Sequence, residues 1–165
     1  MGTKDLLTVI DYSLPSTRRR FWVLDVGREK VLFHELVAHG KGSGDNYATR
    51  FSDEEGSLQS SLGLFEATTT YTGKHGYSLR LRGLEEGFNE RALQRSIVIH
   101  GAWYVSEAFA ARHGRLGRSW GCPALDSSVA REVIDTIKGG TLVFVYYPDE
   151  EWLSGSKFLR DGGSP

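Results

Sequence analysis

Two side chains in this sequence have the types and the setting for nucleophilic chemistry. Cys122 is the only cysteine in 165 residues, and it sits in the turn Gly117-Arg118-Ser119-Trp120-Gly121-Cys122-Pro123-Ala124. Upstream, His100 closes the apolar run Ser96-Ile97-Val98-Ile99 and is followed by Gly101. A free thiol, with a pKa of ~8.5, is mostly protonated at neutral pH, so a cysteine nucleophile needs a base or a positive environment. Imidazole titrates near neutrality and is the natural base. Gly121 leaves room for a substrate backbone, and the amides of Gly121 and Cys122 are candidate oxyanion donors.

Residue types alone leave alternatives open. A lone cysteine is more often a small buried hydrophobe, although this one lies in a glycine-rich turn rather than an apolar run. Papain-like hydrolases also pair Cys with His, but there the Cys comes first and opens a helix; here His100 precedes Cys122. His39, His75, His100, His113 and Cys122 could supply metal ligands. No Cys-x-x-Cys, His-x-x-x-His or His-Glu-x-x-His spacing accompanies them, so neither a metal nor a cofactor is expected.

The elements that must position this pair read as a β-rich scaffold. Leu6 to Leu14, Phe21 to Val26 and Val31 to Ala38 are β-branched or apolar runs that predict an antiparallel meander, mostly buried. The glycine-rich His39-Gly40-Lys41-Gly42-Ser43-Gly44 lacks the order of a phosphate loop. It reads equally as a flexible connection or as a loop at the rim of the site, and Asp45 to Ser61 continues it as a long polar loop. Leu64 to Thr72 and Tyr77 to Arg82 predict strands around the turn Gly73-Lys74-His75-Gly76. Ser96 to His100 is a short buried strand. Ser106 caps a helix from Glu107 to His113, stopped by Gly114. Asp126 caps a second helix running to Lys138, with Val129, Val133 and Ile137 on one face. Thr141 to Tyr147 is a continuous apolar strand expected to be central. The charged, Gly/Ser-rich chain from Pro148 reads as a tail that frays by Gly162.

The totals fit one domain spanning 1–165, with a core of about 6–147 and a tail over 148–165. A net charge of −1 gives no basic excess to recruit nucleic acid or an anionic membrane surface. No run approaches the ~18 apolar residues a membrane span needs, and the opening Met1-Gly2-Thr3-Lys4 is too polar for a signal peptide. Nothing suggests an obligate oligomer, so a monomer is expected.

The residues also resemble a known family. A His-Gly pair after an Ile/Val-rich strand, followed by Ser-x-Gly-Cys, is similar to the signature of the L,D-transpeptidase catalytic domain. Arg118 to Ala124, Tyr104-Val105-Ser106-Glu107 and His113-Gly114-Arg115-Leu116-Gly117 resemble its murein L,D-transpeptidase branch. The likeness extends to His39 to Gly44, Ser60-Ser61-Leu62-Gly63 and Lys74-His75-Gly76-Tyr77, so it covers most of Leu6 to Tyr147. The resemblance implies a mainly β fold, a β-sandwich with two short helices flanking the cysteine loop. It implies Cys122 as nucleophile, His100 as base and the Gly101 carbonyl as the group that orients the base. Ser119, Trp120 and Gly121 are the motif positions beside the nucleophile. Arg118, Arg115, Tyr104, His39, Ser61 and Tyr77 are the candidate substrate-binding residues, and Trp103 lies close in sequence.

Two departures stand out: Trp120 occupies a position where many members have His, and Pro123-Ala124 differs from the common continuation. The implied reaction is acyl transfer between peptidoglycan stem peptides, in the periplasm or at the cell wall, with sensitivity to carbapenems. L,D-carboxypeptidase or exchange activity, or a non-catalytic wall-binding module, are the alternatives.

Overall fold

Nine strands hydrogen-bond into one sheet in the computed structural model, which describes residues 4–160. Gly162, where fraying is expected, lies outside the described residues. In chain order the strands are β1 (Leu6–Asp11), β2 (Phe21–Asp25), β3 (Lys30–Glu35), β4 (Val37–Ala38), β5 (Gly63–Gly73), β6 (Gly76–Gly83), β7 (Val98–Ala102), β8 (Ala124–Asp126) and β9 (Thr141–Tyr146). Helices α1 (Glu107–His113) and α2 (Ser127–Ile137) flank the cysteine loop, and α3 (Glu150–Gly155) follows β9. The order across the sheet is β3-β2-β1-β9-β5-β6-β7-β8-β4.

The mainly β architecture with two helices around the Cys loop is as the sequence predicts. The caps are also as read. Ser106 Oγ accepts from Phe109 N at 3.0 Å, and Gly114 closes α1 in a left-handed conformation. Asp126 caps α2 through Ser128 N. β9 is central, parallel to β1 and antiparallel to β5, because Val143 and Val145 are buried along a continuous apolar run.

Three expectations change. The third predicted strand splits at Leu36. β3 stays with β2, while β4 crosses to pair with β8 at the other end of the sheet order. β3 is therefore an edge strand, and Val31 and Leu32 are exposed rather than buried. The sheet curls until its distant members meet: Arg20, just before β2, donates to the Val37 carbonyl in β4 from both Nε at 3.1 Å and Nη2 at 2.7 Å.

The chain after Tyr147 is more than a charged tail. Trp152 of α3 is fully buried in the main core with Phe65, Val145 and Ile134. Its indole donates to the buried Glu85 carboxylate at 3.3 Å, which also accepts from Leu64 N at 2.6 Å and from Ser156 Oγ. A buried carboxylate is tolerated only with partners such as these.

A second, smaller core lies beneath the Cys122 loop. It joins Leu36 and Ala38 with Ala102, Val105, Ala110, Leu116 and Ala124. It fixes α1 and the loop that follows against β4, β7 and β8.

Candidate active site

β8 is the backbone reference for the site, because it pairs on one side with β7, which contains His100-Gly101, and on the other with β4, which runs into His39-Gly40. Ala124 lies opposite His100 of β7 in a parallel register and opposite Ala38 of β4 in an antiparallel one. Cys122 is two residues upstream of Ala124, so both pairings bear on its position. The loop before it is tied down as well. Ser119 N donates to the His39 carbonyl at 3.1 Å, and Lys41 N donates to the Ser119 carbonyl at 2.7 Å.

The Cys122 turn is closed by its own side chain. Ser119 Oγ donates to the Cys122 carbonyl at 2.6 Å and accepts from Gly121 N at 3.2 Å. Gly121 has φ +127°, and a Cβ there would lie 2.9 Å from the Gln59 carbonyl oxygen. Glycine is required on both counts. The Gly121 amide is thereby committed to Ser119, which corrects its assignment as an oxyanion donor.

Cys122 Sγ is half-buried. It accepts from Val98 N at 3.4 Å and donates to the Ser96 carbonyl at 3.5 Å. Burial pushes the thiol's pKa up, while the Val98 N–H and the Arg95 guanidinium pull it down. His100 is buried, with Nδ1 2.9 Å from the Gly101 carbonyl. A carbonyl only accepts, so Nδ1 carries the proton and Nε2 is left as the free base. Burial lowers the His100 pKa most; the Gly101 carbonyl opposes that shift and His75 adds to it. With the thiol pushed up and the imidazole pulled down, both rest neutral near pH 7.

Cys122 and His100 line one cavity of about 190 Å³. Its other walls are Lys74, His75, Tyr104, Arg118, Ser119 and Trp120. Four of the residues read from the sequence thus join the pair: Ser119, Trp120, Arg118 and Tyr104. Burial pushes the Tyr104 phenol up to about 12. Arg118 is steadied by Asp45 at 2.8 Å and by the Gly44 carbonyl at 3.3 Å.

The remaining substrate-binding candidates are not on this cavity. His39 is fully buried between Arg20 Nη2 at 2.8 Å and the Gly44 carbonyl at 3.1 Å. Ser61 Oγ donates to the Ser52 carbonyl and accepts from Arg95. Tyr77 donates to Asp135 of α2 at 2.5 Å, and Arg131 covers its ring. Arg115 Nη1 turns back to the Leu116 carbonyl at 2.9 Å. Trp103 is exposed, edge-on to Tyr104. The glycine-rich loop is tied to the long loop after it: Gly40 N donates to Ser60 Oγ, Ser60 N donates to Ser43 Oγ, and a Cβ on Gly40 would sit 2.3 Å from the Leu58 carbonyl oxygen.

Three residues on or behind the site are given no place in it by the sequence reading. Lys74 and His75 arrive from the β5–β6 turn, where the Gly73–Gly76 pairing leaves these two at the tip. Arg95 spans the long loop, binding the Ser52 and Gln59 carbonyls and the Ser57 and Ser61 hydroxyls. The signal for Lys74 and His75 was their place in the quoted stretch Lys74 to Tyr77; for Arg95 it was only adjacency to the Ser96 to His100 run. Among the described residues, no three His, Cys, Asp or Glu side chains cluster to hold a metal. No helix of the described residues is long and apolar enough to cross a membrane.

Comparison with known proteins bears on this constellation. A family model described as the L,D-transpeptidase catalytic domain matches residues 1–146. No curated protein sequence matches the chain. Among solved structures, an L,D-transpeptidase from Mycobacterium smegmatis aligns with TM-score 0.54 and 16% identity, over 87% of this chain and 59% of that one. The helical cell shape determining protein Pgp2 from Campylobacter jejuni aligns with TM-score 0.57 and 14% identity, over 88% and 48%. LD transpeptidase LdtMt1, solved in complex with imipenem, aligns with TM-score 0.52 and 18% identity, over 86% and 59%. At these identities the likeness is one of fold. The chain spans about half to three fifths of the length of these structures.

Proposed function

The chain belongs to the L,D-transpeptidase catalytic domain family, and from that premise we propose that it is a cysteine acyltransferase acting on peptidoglycan stem peptides. Cys122 attacks the carbonyl of the diamino-acid residue at stem position three. As the C–S bond forms, the thiol proton moves to His100 Nε2, and the Gly101 carbonyl holds the resulting imidazolium through Nδ1–H. Collapse of the tetrahedral adduct breaks the peptide bond, and the imidazolium returns its proton to the departing D-alanine amine. An amine of a second stem then attacks the thioester, His100 again taking the proton, and a cross-link forms while the Cys122 thiol is regenerated.

The observation that carries this reading is the contact of His100 Nδ1 with the Gly101 carbonyl. With Nδ1–H donated to Gly101 at 2.9 Å, the basic nitrogen is the other one, on a ring that shares a cavity with Cys122. Oxyanion stabilisation falls to amides other than that of Gly121; the Cys122 amide is the remaining candidate of the pair. Such a substrate places the protein in the periplasm or at the cell wall, and imipenem-type compounds are expected to acylate Cys122.

The test is intact-mass spectrometry of the protein mixed with disaccharide-tetrapeptide, beside Cys122→Ala. Loss of D-alanine with a dimeric product, absent from the variant, is the expected result. Loss of D-alanine without dimer makes the enzyme an L,D-carboxypeptidase. No turnover with Cys122 unreactive toward iodoacetamide overturns the enzymatic reading in favour of a wall-binding module.

A further inference from the structure

The tip of the β5–β6 hairpin meets the site at two points, and one of them is the base itself. His75 stacks on His100 with ring centroids 4.5 Å apart and planes 16° from parallel. The neighbouring Lys74 ammonium lies 5.0 Å from the centre of the Trp120 ring. Trp120 stands two residues before the nucleophile, where the sequence departs from the common His. Hairpin and cysteine loop are thus joined by a cation–π contact beside the stacked imidazoles.

We propose that His75 is a positioning residue for His100: its ring fixes the plane of the base, and the Lys74–Trp120 contact fixes the hairpin tip that presents it. The inference rests on the reading of Cys122 and His100 as the reacting pair.

The reason lies in what a single hydrogen bond leaves undetermined. The second side-chain torsion of histidine is broad rather than locked in staggered wells. The Nδ1–Gly101 bond pins one atom of the ring, but the ring can still tilt about that contact, carrying Nε2 away from the sulfur. A flat neighbour against one face removes that freedom. The loop cannot supply a second imidazole here, because its position holds Trp120; the hairpin supplies one from elsewhere in the chain.

Charge bears on the same contact. The titratable and charged groups that share the cavity with His100 are Lys74 and His75 from the hairpin, Tyr104 after β7, and Arg118 and Cys122 from the cysteine loop. No carboxylate lines the cavity. His75 therefore works against a proton on His100, as its contribution to the lowered His100 pKa records. His75 is exposed, so its replacement does not open a core.

The experiment is the rate of Cys122 carbamidomethylation by iodoacetamide across pH, read by intact mass, for the wild type, His100→Ala, His75→Ala and His75→Phe. It needs no peptidoglycan substrate and reports on the pair directly. His100→Ala slows the reaction if the pair is as described. His75→Ala lowers the plateau rate about fivefold to tenfold. His75→Phe keeps a flat ring without a charge, so it restores the plateau while the acid limb moves to higher pH. A slow His100→Ala beside a His75→Ala that matches the wild type overturns the positioning role and leaves the pair standing. A His75→Phe as slow as His75→Ala also overturns it. An unchanged rate in His100→Ala overturns the pair, and the role of His75 with it.

Discussion

Two apolar stretches of this protein carry a His-Gly pair, and only one of the two histidines is proposed as the base. β4 runs directly into His39-Gly40, and Val98-Ile99-His100-Gly101 lies in β7. Both histidines are buried, both have burial as the main cause of a lowered pKa, and β4 and β7 flank β8 on opposite sides. Their hydrogen bonds are reversed. Arg20 can only donate, so His39 Nδ1 accepts from it at 2.8 Å and Nε2–H donates to the Gly44 carbonyl at 3.1 Å. Both nitrogens are consumed, and the ring is a structural bridge. His100 spends Nδ1–H on Gly101 and keeps Nε2 free. A base is thus a histidine with one nitrogen held and the other unspent, which is a property of its partners rather than of its strand.

Exchanging the two losses separates the roles most sharply. His100→Ala is expected to slow carbamidomethylation of Cys122 by ~10²-fold, with little change in melting temperature. His39→Ala is expected to cost about 2–3 kcal/mol of stability, through the cavity it leaves and the unpaired Gly44 carbonyl. That corresponds to a fall of roughly 5–10 °C in the calorimetric melting temperature. Its folded protein should retain a Cys122 rate within about threefold of wild type. Equal loss of rate in both variants would break the comparison.

pH sharpens it further. Burial, aided by Arg20, pushes the His39 pKa down to about 4 from 6.5. The unfolded chain therefore binds the extra proton first, and the contribution of His39 is fully present above pH ~6.5 and lost as pH falls toward ~4. The size is roughly 3 kcal/mol, an upper figure for a single buried histidine. Denaturant melts of wild type and His39→Gln at pH 7, 5.5 and 4.5 should show the gap between them shifting in favour of the variant as pH drops. A constant gap would mean that His39 does not titrate between folded and unfolded states.

The smallest expected effect is at the turn itself. Ser119→Ala removes the hydroxyl that bonds the Cys122 carbonyl and the Gly121 amide. About 1–2 kcal/mol of stability should be lost, together with a severalfold fall in Cys122 reactivity as the turn loosens. Stability and reactivity measured on one preparation would check both.

Local signals made much of this protein legible. Ser106, Gly114 and Asp126 announced the ends of α1 and α2 because caps are short-range chemistry. The β5–β6 hairpin and the central β9 followed from turn glycines and apolar runs. The split at Leu36 was not legible, since the uninterrupted run from Val31 to Ala38 reads as one strand. Nor was α3, whose single buried Trp152 is surrounded by charge in the sequence and anchored by Glu85, far away in the chain.

At the site, the residue types and order of Cys122 and His100 are set by sequence, as are the Ser119 and Gly121 of the turn and the family to which they belong. Local chemistry pointed to the residue types, and the resemblance of the quoted stretches to the family. Tertiary structure decided which of two like histidines has both nitrogens consumed, and that His75 rather than Tyr77 reaches the cavity. Those outcomes depend on partners from distant parts of the chain: Arg20 on His39, the β5–β6 tip on His100, and α2 on Tyr77. A hydrogen-bond donor brought in by the curl of a sheet leaves no trace in the residues it will meet.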